Sequence, residues 1–186
     1  KKKKKKKKQK EIEYKKGGCL YHDINNKKAD LYNIIESQSL NYFRDELENM
    51  SESELEYFSA DLLKKTYTDN FYEGYKILIK NESINVNSKI IKNNNKISFI
   101  YYMIINYENY PTHKFLYYLF KKRDDLVIKP LYIKKLIKMN KTDAFKYFYE
   151  NASQKNQTKI DDLIENDHEL NNYFSTKKYK SMCSIQ

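Results

Sequence analysis

The sequence predicts an all-α fold, a stack of about four helix pairs, and three observations predict it. Apolar residues recur at helical spacing from Leu31 to Phe148, with polar turns between the runs. The second helix of each pair starts at Leu40, Phe71, Lys114 and Phe145, a nearly regular recurrence broken by one longer step. Strands are hard to place anywhere.

The first pair is Asp30–Ser37 and Leu40–Asn49. Leu31, Ile34 and Ile35 make one apolar stripe, and Tyr42, Phe43 and Leu47 the next. Ser39 suits the N-cap of the second helix, where a hydroxyl accepts a free backbone N–H. The second pair is Glu54–Tyr67 and Phe71–Asn81, opened by Ser51-Glu52-Ser53-Glu54, the Ser-x-x-Glu form of a capping box. Leu55, Phe58, Leu62 and Leu63 face inward from its first helix. Phe71, Tyr75, Leu78 and Ile79 do so from its second, with Asp69 or Asn70 as cap. Glu82 to Lys96 then reads as a polar loop centred on Asn93-Asn94-Asn95, which accounts for much of the longer step.

The third pair is Ile97–Tyr107 and Pro111–Lys122. Pro111 fits a first helical turn because the N–H it lacks would be unpaired there. Phe115, Leu116, Leu119 and Phe120 form the buried face. The fourth pair is Pro130–Met139 and Thr142–Asn151, with Ala144, Phe145, Tyr147 and Phe148 inward. A last helix, Lys159 to Glu165, begins a fifth unit or caps the stack.

A chain of 186 residues, 40% hydrophobic and 33% charged, has an ordinary globular balance and enough length for one domain with a real core. Its 19 Tyr and 9 Phe mean that aromatic rings fill much of the interior. The two cysteines, Cys19 and Cys183, lie near opposite ends, so no disulfide framework is visible and a reducing compartment, the cytoplasm, is favoured. Because the chain opens on Lys rather than Met, it reads as a fragment or a processed product, and the lack of a leader is no argument about compartment. The longest apolar stretch, Ile97 to Ile105, falls far short of the roughly 20 residues of a membrane span.

The net charge of +11 suggests a nucleic-acid binder until it is divided. Residues 1–16 hold eleven Lys against Glu11 and Glu13, a balance of +9, which leaves +2 for the rest. The body is therefore close to neutral and carries no basic footprint. The Lys1–Lys8 run repels itself and reads as extended, disordered chain. Expected limits are a Lys-rich tail and linker over 1–28, a helical domain over 29–175 and a flexible tail over 176–186.

Catalytic and metal chemistry leave no pattern. His22, His113 and His168 are scattered, and neither cysteine has a neighbouring ligand pair. Phosphate loops need glycine, and only Gly17, Gly18 and Gly74 exist. Asp124-Asp125 and Asp161-Asp162 are paired carboxylates, expected at polar turns or helix starts, where capping suffices to explain them. Cys19 beside His22 lies in the linker. No catalytic residue, cofactor or metal is expected, and the chain reads as a non-enzyme.

The run Asn70 to Asn87, NFYEGYKILIKNESINVN, resembles the second helix and following turn of an ankyrin repeat. Its Ile84-Asn85-Val86-Asn87 is similar to the family's Ala-Asp-Val-Asn turn entry. His113–Ile128 and Lys141–Asn151 resemble the same pattern, and Ser98–Met103 is similar to the Thr-Pro-Leu-His start of a first helix. No repeat has the full tetrad, and no Gly stands at the helix-ending position, where Asn81 and Asn151 are the candidates for a left-handed residue. The resemblance covers roughly residues 29–175. It implies a curved stack whose concave face holds a protein partner, with Tyr101 and Tyr102 as candidate contacts; a monomer is expected. The alternative from another class is a nucleic-acid-associated protein tethered weakly by its Lys tail.

One terminal motif stands apart. Cys183-Ser184-Ile185-Gln186 fits the C-a-a-X prenylation form, with Gln favouring farnesyl. Lys177, Lys178 and Lys180 upstream supply the basic patch that a single lipid chain needs for stable membrane attachment.

Overall fold

The computed structural model describes residues 25–108 and 112–175. The described residues form ten helices and one small hairpin. Helix α1 spans residues 25–36. It is followed by α2 (Leu40–Glu48), α3 (Glu52–Thr68), α4 (Tyr72–Lys80), strands β1 (Lys89–Lys92) and β2 (Asn95–Ser98), and α5 (Phe99–Ile105). The chain continues as α6 (Thr112–Lys122), α7 (Pro130–Lys138), α8 (Thr142–Asn151), α9 (Gln154–Asn166) and α10 (His168–Ser175).

Each helix of the middle of the chain packs on the next but one as well as on its neighbour. Helices α3, α5 and α7 form one row, α2, α4, α6 and α8 a second, and α3·α4, α5·α6 and α7·α8 pair across the rows. One continuous apolar core lies between them, from Leu31 to Leu170. Its centre is aromatic. Tyr67 meets Phe99, Tyr102 and Phe115 edge-on at 6.2, 6.1 and 5.3 Å between ring centres, and Tyr75 meets Phe115 at 4.7 Å. Such T-shaped pairs add about 0.5–1.5 kcal/mol each beyond the area they bury.

Three of the helix pairs turn by the same device. After α1, α3 and α7 the chain enters the left-handed region at Gln38, Asn70 and Asn140, with φ of 52, 55 and 55°. In each, that residue's N–H reaches back to Ile35, Tyr67 or Ile137, and the next N–H (Ser39, Phe71, Lys141) reaches the carbonyl of Ile34, Thr66 or Leu136. This is the Schellman pattern, which satisfies carbonyls that a helix end leaves orphaned. Left-handed residues thus sit inside the pairs. Asn81 is extended at φ −84°, and Asn151 is the last residue of α8, so neither plays the part expected of it.

The capping box is formed: the Ser51 hydroxyl accepts from Glu54 N–H, and the Glu54 carboxylate accepts from Ser51 N–H at 2.8 Å. Ser39 occupies its N-cap without the hydrogen bond, and Phe71 rather than Asp69 or Asn70 stands at the N-cap of α4. Helix α1 begins before the boundary expected at 29, with Lys27 and Lys28 paired to Glu54 and Asp61 at 2.9 and 2.7 Å. Tyr42 and Tyr147, expected inside, are 69% and 46% exposed. A phenol tolerates water at its tip, and Tyr147 stacks on Tyr117 from outside.

Single polar side chains tie helix ends that lie far apart in sequence. Arg123, just past α6, is buried and donates to the carbonyls of Ile79 (3.4 Å), Asn81 (2.9 Å) and Ile84 (3.0 Å) at the end of α4, while its other edge grips Asp125. One unit later the fully buried Asn156 does the same work, donating to the carbonyls of Phe120 (2.9 Å) and Arg123 (2.6 Å). Helix α9 starts earlier than expected, at Gln154, which is what puts Asn156 in reach. Helix α10, not foreseen, closes the end with Leu170 buried and Phe174 against Phe145 at 5.5 Å.

Candidate functional site

The stretch expected as a polar loop folds in part as a hairpin. Asn93 and Asn94 both have positive φ, 49 and 62°, as a type I′ turn requires, and Asn accepts that region more readily than other residues with a Cβ. The turn fixes the register Lys92↔Asn95 through Lys89↔Ser98. Alternation then sends Ile90 into the core at 3% exposure and leaves Ile91 outside at 64%. Lys92 Nζ donates to Asn106 Oδ1 at 3.1 Å, and Phe99 N–H to the Ser88 carbonyl at 3.1 Å, so the hairpin is tied to α5 at two levels. Ser98 ends β2 and caps α5: its Oγ accepts from Tyr101 N–H at 3.2 Å and lies 2.6 Å from the Tyr132 hydroxyl.

Between this hairpin and the start of α7 runs a groove of about 430 Å³, lined by β2 on one side and by Val127, Lys129, Leu131 and Tyr132 on the other. Asn87 fixes the two walls relative to each other. Its amide donates to the Asp125 carbonyl at 2.8 Å and accepts from Val127 N–H at 2.8 Å. Val127 and Leu131 are 53% and 52% exposed. Together with Ile91, on the outer face of the same hairpin, they are the exposed large aliphatic side chains among the described residues. Lys89, Lys96 and Lys129 surround them, all exposed, and among the described residues no carboxylate lines the groove. None of these three lysines forms an ion pair with a described residue.

The two tyrosines read as partner contacts divide. Tyr101 lines the groove, half-buried and stacked on Tyr132 at 5.8 Å. Tyr102, one residue on, points the other way into the core at 7% exposure, edge-on to Tyr67. It is a packing residue, because adjacent helical positions face directions about 100° apart. Cys183, Cys19, His22 and the Lys1–Lys16 tail lie outside the described residues.

The paired carboxylates have structural partners. Asp124 accepts from the Ser153 hydroxyl, and Asp125 is held below the usual carboxylate range chiefly by its hydrogen bonds from Arg123. Asp161 accepts from Tyr149 at 2.8 Å, and Asp161-Asp162 lies inside α9 rather than at a helix start. Among the described residues no three His, Cys, Asp or Glu side chains come together as a metal site. No described helix is long and apolar enough to cross a membrane.

Sequence reasoning missed Lys89, Lys96, Val127, Lys129 and Leu131. A signal existed in the left-handed-tolerant Asn93-Asn94 pair between two short runs that each carry Ile and Lys. No family model matches the chain, and neither the curated proteins nor the solved structures contain a significant match to it.

Proposed function

We propose that the chain is a non-catalytic protein-interaction module, a helix-pair solenoid of the ankyrin-like kind whose groove between the hairpin and α7 receives a protein partner. The observation that carries this reading is that two exposed aliphatic side chains, Val127 and Leu131, line one groove together, since exposed aliphatic groups that cluster mark interaction surfaces whereas scattered ones do not. The solenoid part is supported by the recurring Schellman turns, by helices that pack in two rows, and by joints in which each unit satisfies the helix end of the one before.

The test is affinity capture with the full chain as bait in nuclease-treated extract, beside a Val127→Asp/Leu131→Asp variant. A protein retained by the first and lost from the second supports the module. Retention of nothing above an unrelated helical bait overturns it. Binding seen only in parallel untreated extract, whatever the groove sequence, transfers the function to the Lys1–Lys16 tail as a salt-sensitive tether for nucleic acid.

A further inference from the structure

The groove's chemistry says more than that something docks there. Its floor is aliphatic, Val127 and Leu131, and its rim is cationic, Lys89, Lys96 and Lys129. Elsewhere on the described surface some lysines meet carboxylates, as Lys65 does Glu36 and Asp69, Lys134 does Asp167 and Glu169, and Lys141 does Glu108, while others, Lys80 and Lys122 among them, do not. What distinguishes the groove is that three lysines ring an apolar surface with no carboxylate among its described lining residues. The three groove lysines meet none, so the positive field over this apolar floor is uncompensated.

The backbone adds a second demand. In the register Lys92↔Asn95 about a two-residue turn, the peptide N–H and C=O of Lys96 point out of the hairpin. No described residue bonds to them. An extended chain laid along β2 would meet that unpaired strand edge. Aromatic stacking is not on offer, because Tyr101 and Tyr132 already stack on each other, and the one arginine of this neighbourhood, Arg123, is spent on carbonyls and Asp125. Those absences count against single-stranded nucleic acid, which is held by exposed ring faces and arginine.

From this geometry we infer that the groove takes an extended acidic peptide segment of a partner, with aliphatic side chains on Val127 and Leu131 and carboxylates toward Lys89, Lys96 and Lys129. This rests on the protein-interaction reading and narrows it to one chemistry.

A library of random dodecapeptides selected on the full chain tests it, followed by fluorescence anisotropy of the best labelled peptide. Selected sequences should be rich in Asp or Glu interleaved with Leu, Ile or Val. Because the Lys1–Lys16 tail also attracts acidic peptides, the decisive comparison keeps the tail and changes the groove. Lys89→Glu/Lys96→Glu/Lys129→Glu should weaken binding roughly tenfold or more, since three attractive charge pairs are lost and reversal adds repulsion. Val127→Ser/Leu131→Ser should weaken it roughly five- to thirtyfold through about 1–2 kcal/mol of lost apolar contact. All five side chains are exposed, so both variants should keep the wild-type circular dichroism spectrum.

Unchanged affinity in both variants overturns the assignment, as does displacement of the peptide by an unlabelled uridine dodecamer of equal or higher affinity. Selected peptides that are neutral or basic yet lose binding in the serine variant overturn the acidic-peptide inference while leaving the protein-interaction reading standing. Recovery of no peptide at all overturns the inference, and the protein-interaction reading then depends on the extract capture alone.

Discussion

Arg123→Met should cost about 3–5 kcal/mol of stability, because two carbonyls at the end of α4 lose charge-assisted donors that nothing in the variant replaces. The guanidinium is 8% exposed as part of its residue and serves three carbonyls at the end of α4, two of them at 2.9 and 3.0 Å. A methionine fills much of the same space but donates nothing. The carbonyls of Asn81 and Ile84 then lose charge-assisted partners worth about 1.5–3 kcal/mol each, part of which water recovers where the site opens. Against a domain stability of about 5–15 kcal/mol the loss is large. Asp125→Asn isolates the other half of the joint. Its carboxylate is 53% exposed, so solvent screens the pair and the change should cost only about 1 kcal/mol. Urea unfolding followed at 222 nm measures both, and equal slopes for wild type and variant would keep the comparison two-state. An Arg123→Met variant within about 1 kcal/mol of wild type refutes the idea that this side chain joins the units.

Three further outcomes can be checked on the same apparatus. Asn70→Ala and Asn140→Ala should each lose about 1 kcal/mol, because a Cβ residue without a local polar side chain is strained at φ 55°, whereas Gly at either site should stay within about 0.5 kcal/mol. Glu54 is held down to about 2, first by the Ser51 N–H and then by Lys27 and the Ser51 hydroxyl. Its folded value is depressed, so its contribution is full above the ordinary carboxylate pKa and is lost as pH falls toward 2. The roughly 1 kcal/mol penalty of Glu54→Ala at pH 7 should therefore shrink across that window. Gly74→Ala ought to stabilise α4 by about 1 kcal/mol on helix propensity alone, but its Cβ would stand 2.4 Å from the buried Phe71 ring, and overpacking costs about 1–3 kcal/mol. The ring is pinned edge-on to Phe43 at 5.4 Å, so a net loss of stability is expected, and a gain would mean that Phe71 can move.

Helices were legible where apolar residues kept strict helical spacing, as at Leu55, Phe58, Leu62 and Leu63, which are all buried. Legibility failed where little apolar surface marks the element. Helix α10 buries only Leu170, and the first turns of α9 bury a polar residue, Asn156, that no hydrophobic pattern can announce. The hairpin escaped because Ile90 and Ile91 are adjacent, which breaks the alternation by which a strand is recognised, and Ile91 breaks it for a reason that concerns the surface rather than the core. Arg123 left a fainter trace. The chain has 36 basic residues, of which only Arg44 and Arg123 are arginine. At position 123 the planar, multiply donating head of arginine reaches carbonyls and the Asp125 carboxylate at once, which a lysine could not do.

The candidate groove lies where the hairpin interrupts the run of helices. Among the described residues the hairpin of β1 and β2 has no counterpart, and the equivalent passage after α6 runs without strands to Pro130. In a regular stack the next unit would cover the outer face of its neighbour's hairpin. Here that cover is missing, so Ile91 and Lys89 stay in water and Val127 and Leu131 face across an open space. The hydrogen bonds of Arg123 and Asn156 and the apolar core are made by residues that, Tyr132 apart, do not line the groove. Stability and binding are therefore separable in this chain: substitutions at the groove should change affinity at constant unfolding midpoint, and substitutions at the joints should do the reverse. A groove variant that lowered both together would mean that the open face is a buttress of the stack and not a surface kept free for a partner.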